Sequence, residues 1–435
     1  MQLRNILQRL VPQRAASRLG HLNRRAVPRV SILAFLAILG PGLVSAVAGD
    51  DAGGIGTYSV AGARYGYDLL WALILIVIGL TVVQEMTARV TVVTGKGLAD
   101  LIREQFGVRT TAFAMLSLFI ANTAVTISEF VGIAAAGELF GISRYITVPI
   151  AAVAVWFIIA RGNYRVAEKI FLALSAVLGV YVISALVVNP DWLQVARGTL
   201  IPTIHADRDF ILLLIAIIGT TISPYMQFTL SAATLDKGTK PEEYRLVFWE
   251  TLLGVLLSGA FAYFIIVATG ATLHVNGITE IESAEQAAQA LRPIAGPFAE
   301  ALFGIGLLGA SLLAASILPL ATTYAICEAF GWERGVNQAT EDARIFYGIY
   351  TALIAIGALV ALIPGLPLFQ IFVYVYLLNG ILLPVLLVLM LRLANNSRLM
   401  GKHVNSAFVN ALGWGITIVL IVLTGILIVT TIVPI

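Results

Sequence analysis

Eleven apolar stretches, each 17 residues or longer, run through this chain: about 41–66, 68–93, 110–140, 145–161, 166–188, 210–235, 244–272, 297–328, 343–363, 367–391 and 407–433. A bilayer core about 30 Å thick is crossed by roughly 20 apolar residues in a helix. Inside lipid every backbone N–H and C=O must be paired within the protein, which leaves only helices and closed barrels as spanning structures. Stretches of this length are helices, so the chain is expected to be an all-α polytopic membrane protein. Its 59% hydrophobic and 12% charged residues agree. Several stretches exceed 20 residues and are expected to tilt or to reach into the headgroups.

Charge then orients the spans. The N-terminal segment carries Arg4, Arg9, Arg14, Arg18, Arg24, Arg25 and Arg29 and no acid. Basic residues concentrate on the cytoplasmic side, so the N-terminus is expected inside and, after eleven spans, the uncharged C-terminus outside. The net charge of +3 reflects this topology rather than nucleic-acid binding. No cleavable leader is expected, because no short apolar region followed by a small-residue cleavage site fits the N-terminus. The single cysteine, Cys327, excludes an intramolecular disulfide. Residues 1–40 read as a basic cytoplasmic arm and interfacial lead-in, and 41–435 as one transmembrane domain.

Two spans are interrupted. In the first, Ala48-Gly49-Asp50-Asp51-Ala52-Gly53-Gly54 places two carboxylates and three glycines between apolar flanks. A charge at membrane depth costs about 2.5–3.5 kcal/mol or more, and such residues usually face a cavity and serve function. Glycines that unwind the helix free carbonyls, and unwound backbone is tolerated there only inside protein or along a water-filled path. A carboxylate among free carbonyls suits a hard cation. In the sixth span, Gly219-Thr220-Thr221-Ile222-Ser223-Pro224-Tyr225 breaks an apolar run, since Pro224 lacks an N–H and clashes with the preceding turn. Breaks in spans 1 and 6 correspond if 41–188 and 210–391 are two inverted halves, with 407–433 an added helix. Paired broken helices of this kind point to a transporter site at the interface of the halves.

Three stretches resemble the Nramp family of divalent-metal transporters: Gly40 to Trp71, including DDAGGIGTYSVAGARYGYDLLW; Gln84 to Asp100, QEMTARVTVVTGKGLAD; and Gly219 to Phe228, GTTISPYMQF. The likeness covers most of the chain and is sharp in these three. It implies a LeuT-type fold with a 5+5 inverted repeat, broken helices 1 and 6 and about 11 transmembrane helices. The family's Asp-Pro-Gly-Asn motif falls on Asp51, Ala52, Gly53 and Gly54, and its Met-Pro-His motif on Ser223, Pro224 and Tyr225. The resemblance therefore implies a metal held by Asp51 and by the carbonyls of Ala48 and Thr220. The family's Asn ligand is lost at Gly54, and its Met ligand is replaced by Ser223. Its proton-handling groups are altered too. Tyr225 stands for the His, Thr126 for an Asp and Phe119 for a Glu, while one Glu persists as Glu129. This pattern resembles the Nramp-related magnesium transporters.

The residues carry competing readings. Asp50 rivals Asp51, because neighbours on a helix point about 100° apart. Ser223 is either a ligand, direct or through water, or a hydroxyl that satisfies the backbone freed by Pro224. Thr221 and Thr57 are read as stabilising broken backbone. Glu129 is a carboxylate on a solvent path or a structural one. Asn379 lines the path or bonds a neighbouring helix, with Tyr376 as its alternative. Glu85 and Arg89, four apart, read as an ion pair on one helix face. All four histidines lie outside the spans.

The expected function is transmembrane transport of divalent cations, Mg²⁺ and/or Mn²⁺, with no cofactor beyond the transported ion. A proton-coupled Mn²⁺/Fe²⁺ symporter is one alternative. An amino-acid transporter of the same fold is another, which Asp50 and Asp51 disfavour by repelling a substrate carboxylate. An intramembrane aspartyl protease needs a second mid-span aspartate, which is not found, so no enzyme is expected. The expected setting is the plasma membrane, with lipid as partner, no nucleic acid, and the chain a monomer.

Overall fold

The structure, a computed structural model, describes residues 51–160, 179–205, 207–333, 335 and 343–432. The chain folds into helices: α1 Ala52–Tyr65, α2 Leu70–Thr94, α3 Leu98–Leu139, α4 Arg144–Ala160, α5 Val180–Val187, α6 Trp192–Leu200, α7 Arg208–Thr221, α8 Pro224–Asp236, α9 Tyr244–Thr272, α10 Ala299–Phe330, α11 Arg344–Ala361, α12 Leu368–Ala394 and α13 Ala407–Ile432. No strand occurs among the described residues. Eight helical stretches among them are long and apolar enough to cross a membrane. The expected spans 1, 4 and 5 correspond to the half-helix α1, the 17-residue α4 and the short α5. The earlier parts of spans 1 and 5, the lead-in and the arginine-rich arm lie outside the described residues.

Helix ends follow local chemistry. Asp51 caps α1 with extended backbone, its carboxylate accepting the Gly54 N–H at 2.8 Å. Asp207 caps α7 in the same way, accepting from Phe210 at 2.8 Å. Gly95 ends α2 in the left-handed conformation that a Cβ would penalise. Gly107, with φ 75° and ψ 176°, splits α3 into a short helix and a long spanning one. The expected start of span 3, about residue 110, falls just past this glycine. The segment 281–291 contains a turn of α-helix, Ala284–Ala288, followed by a 3-10 turn. Its Ala284, Ala287, Ala288, Ala290 and Leu291 are buried, so only Glu282 and Glu285 remain on its wet side.

Packing is closest where side chains are smallest, as expected for helices in lipid. A methyl group at Gly62 would overlap the Thr269 hydroxyl, so α1 lies hard against α9. One at Gly219 would overlap the Tyr376 carbonyl, so α7 lies equally close to α12. Helices α3, α10 and α12 form the buried centre. At the periphery, Ile418, Val419, Ile421 and Val422 of α13 are exposed, an apolar face suited to lipid.

Two polar clusters tie the ends together. At the end of α1 remote from Asp51, four contacts form a ladder with the extended approach to α7. Arg64 pairs with Asp209 at 2.5 Å, the Tyr65 hydroxyl donates to Asp207 at 2.7 Å, His205 meets Asp68 at 2.7 Å, and the Trp71 indole donates to the Thr203 carbonyl at 3.1 Å. The second cluster centres on Arg89. Its guanidinium bonds Glu85 at 2.7 Å, the Asn405 side chain at 2.5 Å and the His403 carbonyl, while Tyr244 donates to Glu85. The predicted Glu85–Arg89 pair is thus part of a structural network that joins α2, α9 and the approach to α13.

Candidate metal-binding site

The site forms where α1 begins and where α7 gives way to α8. Asp51 is 2% exposed and both its carboxylate oxygens are engaged. Oδ1 accepts the Gly54 N–H, and Oδ2 accepts the Tyr376 hydroxyl from α12. Glu129 of α3 is fully buried and comes to the same helix end. Its Oε2 accepts the Ala52 N–H at 3.3 Å, and its Oε1 accepts the Ser128 hydroxyl at 3.3 Å. Two carboxylates therefore share the first turn of α1, where unpaired N–H groups and the helix dipole favour negative charge. That partial charge does not replace a counter-ion. None of the ion pairs among the described residues involves Asp51 or Glu129.

The second break is neutral. Ile222 and Ser223 leave helical geometry between α7 and α8, with Pro224 at the first position of α8. The Ser223 hydroxyl donates to the Gly219 carbonyl at 2.9 Å and to the Thr220 carbonyl at 3.2 Å. Asn379 of α12 donates to the Gly219 carbonyl at 2.8 Å and to Ser223 Oγ at 3.0 Å. The carbonyls freed by Pro224 are thereby largely tied down. Two buried oxygens nearby, Thr220 Oγ1 and Asn379 Oδ1, have no hydrogen-bond partner among the described residues. The Thr221 hydroxyl donates to the Ile217 carbonyl and lies 2.8 Å from the Tyr58 hydroxyl, which joins the two broken helices. Tyr225 is buried in the first turn of α8.

Of the residues singled out from sequence, Asp51, Gly54, Glu129 and Tyr376 meet at the start of α1, whereas Ser223, Thr220 and Asn379 meet at the second break. Thr221 reaches the first helix through Tyr58. Ala48 and Asp50 lie outside the described residues. Gly54 takes part through its N–H alone, and Thr57 donates to the Gly53 carbonyl at 2.8 Å, stabilising the first turn. Tyr58 was missed by sequence reasoning. Its one signal is its place seven residues after Asp51, two turns along the same helix face.

The donor set is oxygen only. Among the described residues no three His, Cys, Asp or Glu side chains gather as a cage for a metal ion. Among the described residues two carboxylates meet at the site, with neutral hydroxyl, amide and carbonyl oxygens around them. A hard cation held this way keeps part of its water shell. Among the described residues no His or Cys joins these groups, so a soft metal finds no imidazole or thiolate there.

Comparison with known proteins agrees with this architecture. Residues 42–430 match the model of the natural resistance-associated macrophage protein-like family, Nramp. A divalent metal cation transporter, MntH, of Klebsiella pneumoniae is 27% identical over 420 residues, covering 95% of this chain and 98% of the relative. A crystal structure of the Eremococcus coleocola manganese transporter, in complex with an aromatic bis-isothiourea substituted compound, is similar with TM-score 0.70 at 22% identity, covering 92% of this chain and 87% of that one. The structure of MhsT with L-phenylalanine is similar with TM-score 0.58 at 16% identity, covering 90% and 98%. The likeness to these transporters shows the LeuT-type fold.

Proposed function

This chain belongs to the Nramp family, and we propose that it carries divalent metal cations across the membrane through the paired helix breaks, with Mg²⁺ among its cargo. The observation that carries the reading is the pair of buried carboxylates, Asp51 and Glu129, which take part in no ion pair among the described residues. Uncompensated charge in a low-dielectric interior is costly, and a passing cation supplies the compensation. Asp51 is the principal ligand. Tyr376, Asn379 and Thr220 offer neutral oxygens to the ion or to its waters. The carbonyl of Ala48 is proposed to complete the shell, with Asp50 adding charge to the approach.

Magnesium enters through what the site lacks. The family's soft ligand is Ser223 here, and its amide ligand is Gly54. Mg²⁺ dehydrates reluctantly and is held by one or two carboxylates while it keeps several waters, which matches this sparse oxygen set. Mn²⁺ also suits oxygen ligands, so it is proposed as a second cargo. With Tyr225, Thr126 and Phe119 at the family's relay positions, transport is proposed to run without proton coupling. The protein is an integral membrane protein; its proposed setting is the plasma membrane with the N-terminus inside, as the basic arm implies.

The test is flux in proteoliposomes holding the purified protein, with Mn²⁺ or Mg²⁺ supplied outside and lumenal pH followed. Both ions should enter, Mg²⁺ should compete with Mn²⁺, and lumenal pH should stay constant. Entry of Mn²⁺ with Mg²⁺ neither passing nor competing at millimolar concentration would replace the magnesium reading with a manganese one. Acidification that depends on metal and is lost in Glu129→Gln would establish proton symport instead.

A further inference from the structure

A cavity of about 260 Å³ lies at the end of α1 remote from Asp51. Arg64 of α1 is 13 residues beyond Asp51, about 20 Å along the helix at 1.5 Å per residue. The cavity wall includes Arg64, Asp209, Glu280, Glu282, Phe369 and Tyr374. Arg64 is thus the single cation among its lining residues, facing three carboxylates. The pair is not sealed away from solvent, for the Arg64 and Asp209 side chains are 36% and 49% exposed. A fixed positive charge at the mouth of a cation path works against entry unless it is masked.

We propose that this cavity is the vestibule of the cation path and that Asp209 is a positioning residue that masks Arg64 there, so that the vestibule stays net negative and concentrates divalent cations for the site. The inference rests on the divalent-cation reading given above. A cleft lined by one sign of charge focuses its field and raises the local concentration of the opposite ion. With Asp209 paired to Arg64, Glu280 and Glu282 set the net sign. Loss of Asp209 exposes the guanidinium, and loss of Arg64 leaves a third carboxylate unopposed. The ladder contacts at Tyr65–Asp207, Asp68–His205 and Trp71–Thr203 hold the backbone in place when either charge is removed.

The two roles open to this ion pair, charge mask or simple brace, separate cleanly. The measurement is Mn²⁺ uptake into intact cells at low ionic strength, read as KM and kcat. Asp209→Asn is expected to raise KM about threefold and Arg64→Gln to lower it about threefold, with kcat little changed, less than the roughly 10- to 1000-fold of a whole charged cleft because one solvent-exposed charge is altered. The double variant should return to near the unmodified KM. These differences should collapse in about 1 M inert monovalent salt, where the Debye length is about 3 Å. Arg64→Lys, which keeps the charge, should behave like the unmodified protein. Both single variants shifting KM in the same direction, or opposite shifts that survive high salt, would overturn the mask and leave a brace. Absence of saturable Mn²⁺ and Mg²⁺ uptake by the unmodified protein would instead refute the transport reading itself.

Discussion

At the first break, Asp51 has extended backbone and turns its carboxylate onto the N-terminus of α1, where Glu129 joins it. At the second, Ser223 stands in the same position ahead of α8, but its hydroxyl turns back onto the carbonyls of α7 and Asn379 locks it there. One break collects carboxylates that pair with no cation among the described residues. The other spends its side chains on its own backbone and is nearly neutral, apart from the idle oxygens of Thr220 and Asn379. The difference separates two tasks that a broken helix performs in a membrane, drawing an ion and keeping unwound backbone satisfied.

Replacing the charge at the first break should have the largest effect. Asp51→Asn keeps the shape and the cap geometry but removes the charge of the proposed principal ligand. Transport of Mn²⁺ and Mg²⁺ should fall by about a hundredfold or more, matching the roughly 2.7 kcal/mol that a hydrogen bond or contact to a charged group carries. The purified variant should elute as the unmodified protein does. Unchanged flux and metal affinity would remove Asp51 from the site.

Making both breaks resemble the family should come next. Ser223→Met combined with Gly54→Asn returns a thioether and an amide. It should tilt the Mn²⁺/Mg²⁺ selectivity ratio toward Mn²⁺ by about tenfold, because a thioether is a poor ligand for Mg²⁺ and an added amide oxygen takes the place of water that Mg²⁺ gives up reluctantly. The swap also deletes the bonds from Ser223 to Gly219 and Thr220, so some loss of thermal stability should accompany it. A selectivity ratio that stays constant would show that these positions do not read the ion.

The smallest change isolates the backbone role. Ser223→Ala removes the hydroxyl without adding a ligand. Hydrogen bonds between helices in a membrane average about 0.6 kcal/mol, so a loss near 1 kcal/mol is expected for this bifurcated donor. The Mn²⁺/Mg²⁺ ratio should move less than twofold, about the kT scale of a lost weak contact. A large shift in that ratio on Ser223→Ala would mean that the second break contacts the ion as directly as the first.

The sequence shows both breaks because their signals are local: adjacent glycines beside a carboxylate, and a proline within an apolar run. The Glu85–Arg89 pair is legible for the same reason, since helical spacing puts the two on one face. What the sequence does not show is which faces meet. Glu129 reaches Ala52 across 77 residues, and Tyr376 reaches Asp51 across 325. Periodicity ranks the faces of each helix by polarity, but in a chain this apolar every face is oily and the ranking is weak. Ser223 illustrates the remaining gap. Its position beside a break is plain from sequence, yet whether its hydroxyl faces the ion or its own helix depends on Asn379, 156 residues away.

The network around Arg89 bears on how the chain is made. Its contacts with His403 and Asn405 span 314 and 316 residues, and Tyr244 is 159 residues from Glu85. When α2 emerges from the ribosome and enters the bilayer, none of those groups has been synthesised. Glu85, four residues upstream, already exists and sits on the same face. An early helix thus carries its guanidinium into the membrane as a self-contained pair, and the distant partners take their share only once the last spans arrive.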